Sequence, residues 1–415
     1  VSSAPSRFGA LRATAGNAYF PVSAAARLPL SMLSIGILTY LAGNGADFAT
    51  AGGAAAVAGI GVALGAPVTG ALSDRWGQRP TLLACAGAYA LALLWLLVAG
   101  APETGAPTLG LNLAAASLVT GFVVPQAGPM TRVRWIRALG EDPAVHTAQS
   151  YESTIDELSF VLGPALVGLL ALVTPAAPLL TALALAAVVV PWFALHRTAA
   201  AAAPLRGTDL TATPAPDALR APVRVPWALV TVLLGGMLSI GTAFGSLATI
   251  STAFAEEAGQ PGVGGLVYAT LGLTSGAAAL SVTAWPAAAT PVRRWIACGL
   301  LLIPIMALLW LAQEPWHLAL LLLLVGLPIG PVLVTVFAVA GDATPSRRLG
   351  FVMTLLAAGI TLGTSVGNWL GGALADLGGH RAALWVSFAA AVALALFGGM
   401  YALRHTRKGG VPFQA

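Results

Sequence analysis

Long apolar runs recur along this chain from one end to the other, and they constrain its fold more than any other feature. A helix needs about 20 mostly apolar residues to cross roughly 30 Å of hydrocarbon. Runs of that length read as helices 1 to 12 over 18–43, 49–72, 80–100, 109–131, 149–173, 176–196, 226–254, 262–288, 292–312, 316–340, 349–374 and 381–403. Helix 8 is rich in Gly, Ala, Ser and Thr, a composition tolerable only where other helices cover it. Within hydrocarbon each backbone polar group needs a partner inside the structure, which helices supply. The expected class is an all-α, multi-pass membrane protein.

Charge supports that reading and orients it. Only 8% of the 415 residues are charged and 58% are hydrophobic, against about 25% charged in a soluble domain. Apart from Arg27 and Arg381, every Lys and Arg falls on one side of the expected bilayer, including Arg132, Arg134 and Arg137 after helix 4. Basic loops stay in the cytoplasm, so both termini are expected there, in the plasma (inner) membrane. The net charge of +5 is spread over many short loops and does not suggest nucleic acid. The N-terminal stretch does not read as a cleavable signal peptide. Cys85 and Cys298 lie inside apolar runs, without zinc or redox spacing.

The longest loop, 197–225, is rich in Ala, Pro and Thr and reads as a flexible linker. It divides the chain into 1–196 and 226–415, each with six helices. Transporters built from repeats have this layout, with a site between two bundles at the bilayer midplane.

The loop joining helices 2 and 3 reads Gly70-Ala71-Leu72-Ser73-Asp74-Arg75-Trp76-Gly77-Gln78-Arg79. Gly70 and Gly77 permit close approach and a sharp turn. Asp74 can accept hydrogen bonds from a helix N-terminus. The segment resembles the signature of the major facilitator superfamily, with Ser73 for the usual Ala and Gln78 for a basic residue. That resemblance implies two pseudo-symmetric six-helix bundles. It also implies that Asp74, Arg75 and Arg79 belong to a latch closing the cytoplasmic ends of the two halves, with the start of helix 11, near Arg347 to Gly350, as partner.

Small residues at four-residue spacing mark close helix contacts in lipid. They recur as Gly359, Gly363, Gly367 and Gly371 in helix 11, and as Gly61 and Gly65 in helix 2. Gly264, Gly272 and Gly276 share a face with Tyr268 in helix 8; helix 5 has Ser159, Gly163, Pro164 and Gly168. In the superfamily, helices 2, 5, 8 and 11 form the interface between halves, so these stripes are expected there; generic helix packing is the other reading. The helix 5 run partly resembles a motif of proton-coupled exporters. Helix 4 of such exporters also carries an Arg before Gln-Gly, whereas Gly121 to Gly128 here contains no base.

Ionisable residues at membrane depth are functional candidates. Arg27 in helix 1 lies roughly 13 Å inside its helix, and Asp156 and Glu157 in helix 5 roughly 10–12 Å inside theirs. Arg27 is therefore expected to pair with Asp156 or Glu157. Glu152 and Asp156 share a helix face. With more acid than base at this depth, one helix 5 carboxylate is expected to carry a coupled proton. The alternative places Glu152 at the interface and leaves the Arg27 pair a structural role.

By the resemblance, helices 1, 4, 7 and 10 line a substrate cavity. They offer Met32, Ser34, Tyr40, Asn112, Gln126, Met130, Met237, Thr242, Phe244, Thr335 and Phe337, a mostly apolar set suited to an apolar or amphipathic molecule. The five histidines are scattered, and no phosphate-binding loop or metal set is present. No cofactor and no enzymatic activity are expected. The combined expectation is a monomeric, proton-coupled exporter of small molecules. An importer or a lipid flippase of the same fold is the alternative, and a membrane enzyme or assembly subunit is less favoured.

Overall fold

The computed structural model describes residues 4–46, 48–102, 107–202, 225–260, 263–286 and 288–407. Most of the expected linker, residues 203–224, lies outside the described residues, as do its Arg206, Arg220 and Arg224. Twelve helices among the described residues are long and apolar enough to cross a membrane: Tyr19–Gly43, Thr50–Trp76, Gln78–Ala99, Leu111–Leu139, Ala144–Ala171, Ala177–Leu195, Trp227–Ala255, Gly264–Ala284, Pro291–Leu311, Pro315–Ala343, Ser346–Ala375 and Leu377–Arg404. They correspond one to one with helices 1 to 12. A short helix, Ala4–Ala15, precedes them and buries Leu11 and Ala15. Helices 11 and 12 join at Gly378-Gly379, where a φ of 67° at Gly379 makes the turn.

Helices 3, 6, 9 and 12 each present exposed large side chains, such as Leu91, Val188, Leu301 and Leu396. On a chain with twelve spans these faces suit lipid, since exposed apolar surface of this extent is foreign to a water-soluble protein.

Two helices are broken within the membrane, and both breaks matter to the site. Helix 1 consists of Tyr19–Ala25 and Leu28–Gly43, with Pro29 at the start of the second piece. Helix 4 consists of Leu111–Val123 and Ala127–Leu139, interrupted at Val124-Pro125-Gln126. Proline lacks the N–H that a continuing helix would use. The expected end of helix 4 at residue 131 is corrected: a second helical piece carries the chain on, and Arg132 and Arg134 lie inside the bundle rather than in a loop.

The glycine stripes also differ from expectation. A Cβ at Gly363 or Gly367 would collide with the carbonyls of Leu238 and Thr242 on helix 7, and one at Gly359 with Leu234 of the same helix. Gly371 faces Ser246 of helix 7, and Gly163 faces Ser31 of helix 1. Gly61 and Gly65 meet the Leu118 and Phe122 carbonyls of helix 4; Gly326 and Gly330 of helix 10 meet helix 8 at Leu271 and Ser275. Helix pairs 1–5 and 2–4 in one half thus repeat as 7–11 and 8–10 in the other. The stripes of helices 2, 5 and 11 hold each half together; they are not the interface between halves. Backbone can approach backbone there only without a Cβ, and each half needs that closeness to pack six helices.

The halves do meet along helices 2 and 11, at Gly70, and along helices 5 and 8, where two glycines of the helix 8 stripe lie at the interface as expected. Gly70 abuts Gly350 and Thr354, while Gly272 and Gly276 abut Val161 and Thr154. Replacing Gly363 with Leu should cost about 2 kcal/mol or more through overpacking against backbone. Gly168→Ala, where nothing lies near the added carbon, should be close to neutral. Thermal unfolding of the detergent-purified protein checks the contrast.

Candidate functional site

The break in helix 1 places Arg27 between its own helix and helices 4 and 5. Its Nη1 takes the Ser23 carbonyl at 2.7 Å, Nε donates to Asp156 at 2.7 Å, and Nη2 donates to Thr131 at 2.8 Å and also to Glu152. Glu152 further accepts from the Thr131 hydroxyl at 2.6 Å and the Trp135 indole at 2.5 Å. Arg132, from the second piece of helix 4, donates to the other Asp156 oxygen at 2.7 Å, to Ser153 at 3.2 Å and to the Gln149 side chain at 3.1 Å. Two guanidinia and two carboxylates therefore form one neutral network. Gly128 leaves room for it, since a Cβ there would come 2.8 Å from Asp156.

This arrangement settles the partner of Arg27 as Asp156 together with Glu152, and it corrects two expectations. Glu157 does not pair with Arg27. The excess of acid over base at Glu152 and Asp156 disappears, because Arg132 is buried beside them. Side-chain exposure is 4% for Arg27, 0% for Arg132 and Glu152, and 23% for Asp156, so Asp156 is the member that presents an edge outward. The network also touches the other half: the Arg132 guanidinium lies 3.9 Å from the Phe337 ring centre on helix 10.

Glu157 stands apart. It is 6% exposed and faces Ser275 and Tyr268 of helix 8 across the interface. No Lys, Arg or His among the described residues lies within ion-pair distance of it. One turn earlier, Thr154 donates to the Gly276 carbonyl at 2.9 Å.

At the end of helix 2 nearest the chain termini, Asp74 accepts the backbone N–H of Gly350 at 3.0 Å and of Phe351 at 2.9 Å. These are unpaired donors of the first turn of helix 11, where a carboxylate also meets the positive end of the helix dipole. Arg137 lies 3.3 Å from Asp74 and donates to the Ser346 carbonyl at 2.7 Å. Gly77 turns the chain into helix 3 with a φ of 92°. Arg75 and Arg79 are exposed. Gln78, by contrast, is buried and bridges the Met130 carbonyl and Arg134.

The proposed cavity residues divide. Met32, Met130, Met237 and Thr335 are fully packed, and Gln126 is 2% exposed and turned toward the Val124 carbonyl. Tyr40 donates to the Leu97 carbonyl at 2.6 Å. Asn112 is removed from the charge network, at the start of helix 4, exposed, and accepts from Trp95 at 3.0 Å. Ser34 is exposed, Thr242 and Phe244 are half-buried, and Phe337 lies under Arg132. Pro164 sits inside helix 5.

Comparison with known proteins places this geometry. The Major Facilitator Superfamily model matches residues 19–290 and 247–413. No curated protein matches in sequence. The human organic anion transporter TETRAN has a similar structure at 18% identity and a TM-score of 0.62, covering 92% of this chain and 96% of its own. The superfamily transporter FucP in its outward conformation is similar at 13% identity and a TM-score of 0.65, covering 92% and 98%. A bacterial homologue of the iron transporter ferroportin, in an outward-facing state, is similar at 14% identity and a TM-score of 0.66, with the same coverage.

The charge network yields a stability test. Arg27→Met would leave Glu152 and one side of Asp156 without a counter-charge, and breaking a buried pair in this way costs about 3–5 kcal/mol. The folded yield after detergent extraction should fall sharply. Adding Glu152→Gln to that variant should recover much of it.

Proposed function

We propose that this chain, which belongs to the major facilitator superfamily, is a secondary active transporter that exports small apolar or amphipathic molecules in exchange for protons. The halves 1–196 and 226–415 rock about a central site, with 197–225 as the cytoplasmic linker. Both termini face the cytoplasm of the plasma membrane. The observation that carries the proton-coupled reading is Glu157, a buried carboxylate on the interface with no basic partner among the described residues. A carboxylate so placed is neutralised by a proton while the halves are closed upon it, and can release that proton when they part. The neutral network around Arg27 has no such need.

The contacts from Asp74, Arg137 and Thr154 to helices 11 and 8 lie toward the termini end of the interface. Given cytoplasmic termini, the structure is then closed to the cytoplasm. The superfamily fold supports transport; the outward-facing relatives share that fold. Asp74 acts as the latch of this closed state, and its hydrogen bonds are few enough to break in every cycle.

Transport in proteoliposomes, with an internal pH dye, an imposed pH gradient and a panel of amphipathic compounds, tests the reading. Substrate-driven proton movement should disappear in Glu157→Gln. Persisting proton movement in that variant would sink the assignment of Glu157, and substrate uptake with protons, rather than exchange, would reverse the direction. Asp74→Ala should shift the population toward the state open at the termini end. The readout is faster thiol labelling of Ile136→Cys, which now packs near Gly341 of helix 10, in a background where Cys85 and Cys298 are Ser.

A further inference from the structure

Arg134 is a buried guanidinium that the charge network does not use. It follows Arg132 by two residues on helix 4 and is 1% exposed. Its Nε donates to Gln78 at 2.8 Å, and its Nη1 donates to the Phe193 carbonyl and the Thr198 hydroxyl, each at 3.0 Å. Its Cζ lies 3.8 Å from the centre of the Phe193 ring. No carboxylate among the described residues is within ion-pair distance of it. Its Nη2 has no acceptor among them.

A second unsatisfied donor belongs to a residue that borders the same ring. The Tyr19 hydroxyl, at the start of helix 1, is buried and without a partner. Its ring packs on Trp135 at 5.1 Å, His196 at 5.5 Å and Phe193 at 6.3 Å between centres. Tyr19 and Arg134 therefore share the Phe193 ring. The Thr198 hydroxyl that accepts from Arg134 is 3.1 Å from Nδ1 of His196. Burial, then the neighbouring Arg134 and Arg197, holds that imidazole below its ordinary value, so at pH 7 it is neutral. Glu152, which accepts from the Trp135 indole on which Tyr19 packs, is already shared by Arg27, Thr131 and Trp135.

This corner thus has aromatic walls, a positive charge without a matching acid and two unsatisfied donors. Water could take the hydrogen bonds but would leave the charge in place, and a buried, unpaired ion is costly. The Phe193 carbonyl, in the last turn of helix 6, offers only the partial negative charge of a helix end.

We propose that Arg134 and Tyr19 bind a small monoanion of halide size, enclosed by helices 1, 3, 4 and 6. The burial of both groups leaves out a lipid phosphate, which would have to keep its glycerol and chains in the bilayer. Because Gln78 follows the Asp74 loop and also holds the Met130 carbonyl at 3.0 Å, the anion would fix the end of the N-terminal half that carries Asp74. This site does not depend on the exporter reading or on Glu157.

The test uses the purified full-length protein, with gluconate replaced stepwise by chloride at constant ionic strength. Tm should rise with the logarithm of chloride concentration, as for a ligand that binds the folded state. Arg134→Gln should lose that rise and Tyr19→Phe, which keeps the ring packing, should weaken it. Crystals soaked in bromide should show an anomalous peak between Nη2 of Arg134 and the Tyr19 hydroxyl. A wild-type Tm indifferent to chloride, a rise that both variants retain in full, or crystals with no bromide at that position would each overturn the proposal. Should Arg134→Gln fail to fold, Tyr19→Phe and the bromide position decide it.

Discussion

Two guanidinia and two carboxylates held inside hydrocarbon must neutralise one another, and the course of helices 1, 4 and 5 follows from that requirement. Arg27 reaches Glu152 and Asp156 because helix 1 breaks beside it and frees the Ser23 carbonyl for its Nη1. Arg132 reaches Asp156 because helix 4 resumes after Pro125 instead of ending there. Helix 5 supplies both acids from one face, four residues apart. Removal of any one charge would leave the network with a net charge in a medium that penalises it heavily. The breaks in helices 1 and 4 are thus part of the network.

The same network sits against the interface between the halves. Arg132 lies on Phe337 of the other half, Arg137 of the same helix piece reaches Asp74 and Ser346, and Glu157 follows Asp156 directly. Helices 4 and 5 therefore carry the rigid, fully paired charges and the interface contacts on adjacent turns. Any rocking that parts helix 5 from helix 8 changes the surroundings of Glu157 while leaving the Arg27 network whole. Separation of function by one residue follows from helix geometry: positions 156 and 157 differ by about 100° around the axis.

Much of this was legible in the sequence, and the reasons for the rest are specific. Twelve spans follow from apolar length, and the Asp74 loop with its partner at Gly350 follows from a local motif. Arg27 stood out because a base in the middle of an apolar run has no other explanation. Arg132 and Arg134 were hidden because they sit where a cytoplasmic loop was expected. The signal that could have found them was the count of acids over bases at depth, together with Pro125, which ends one helical piece without ending the span. The glycine stripes of helices 2, 5 and 11 named the right spacing but the wrong neighbours, whereas Gly272 and Gly276 of helix 8 do face helix 5. A four-residue repeat specifies that a backbone comes close, not which one, and in helix 11 that backbone is helix 7.

That last distinction bears on how the halves can work. Within each half, glycines bring backbone onto backbone at Gly61, Gly65, Gly363 and Gly367, where a single added carbon would meet a carbonyl. Such contacts have no adjustable side chain and resist sliding. Between the halves, the contacts at the termini end add polar side chains to the close approach of Gly70 and Gly350: a carboxylate on two N–H groups, an arginine on a carbonyl and a threonine on a carbonyl. Each of these hydrogen bonds is worth about 0.5–3 kcal/mol net, with the ionised partners at the upper end, because water can replace either partner. A few of these can be exchanged for hydration as that end opens, whereas the backbone seams inside each half have nothing to exchange for. Rigid halves joined in part by replaceable polar contacts meet the mechanical condition that the proposed alternating access requires.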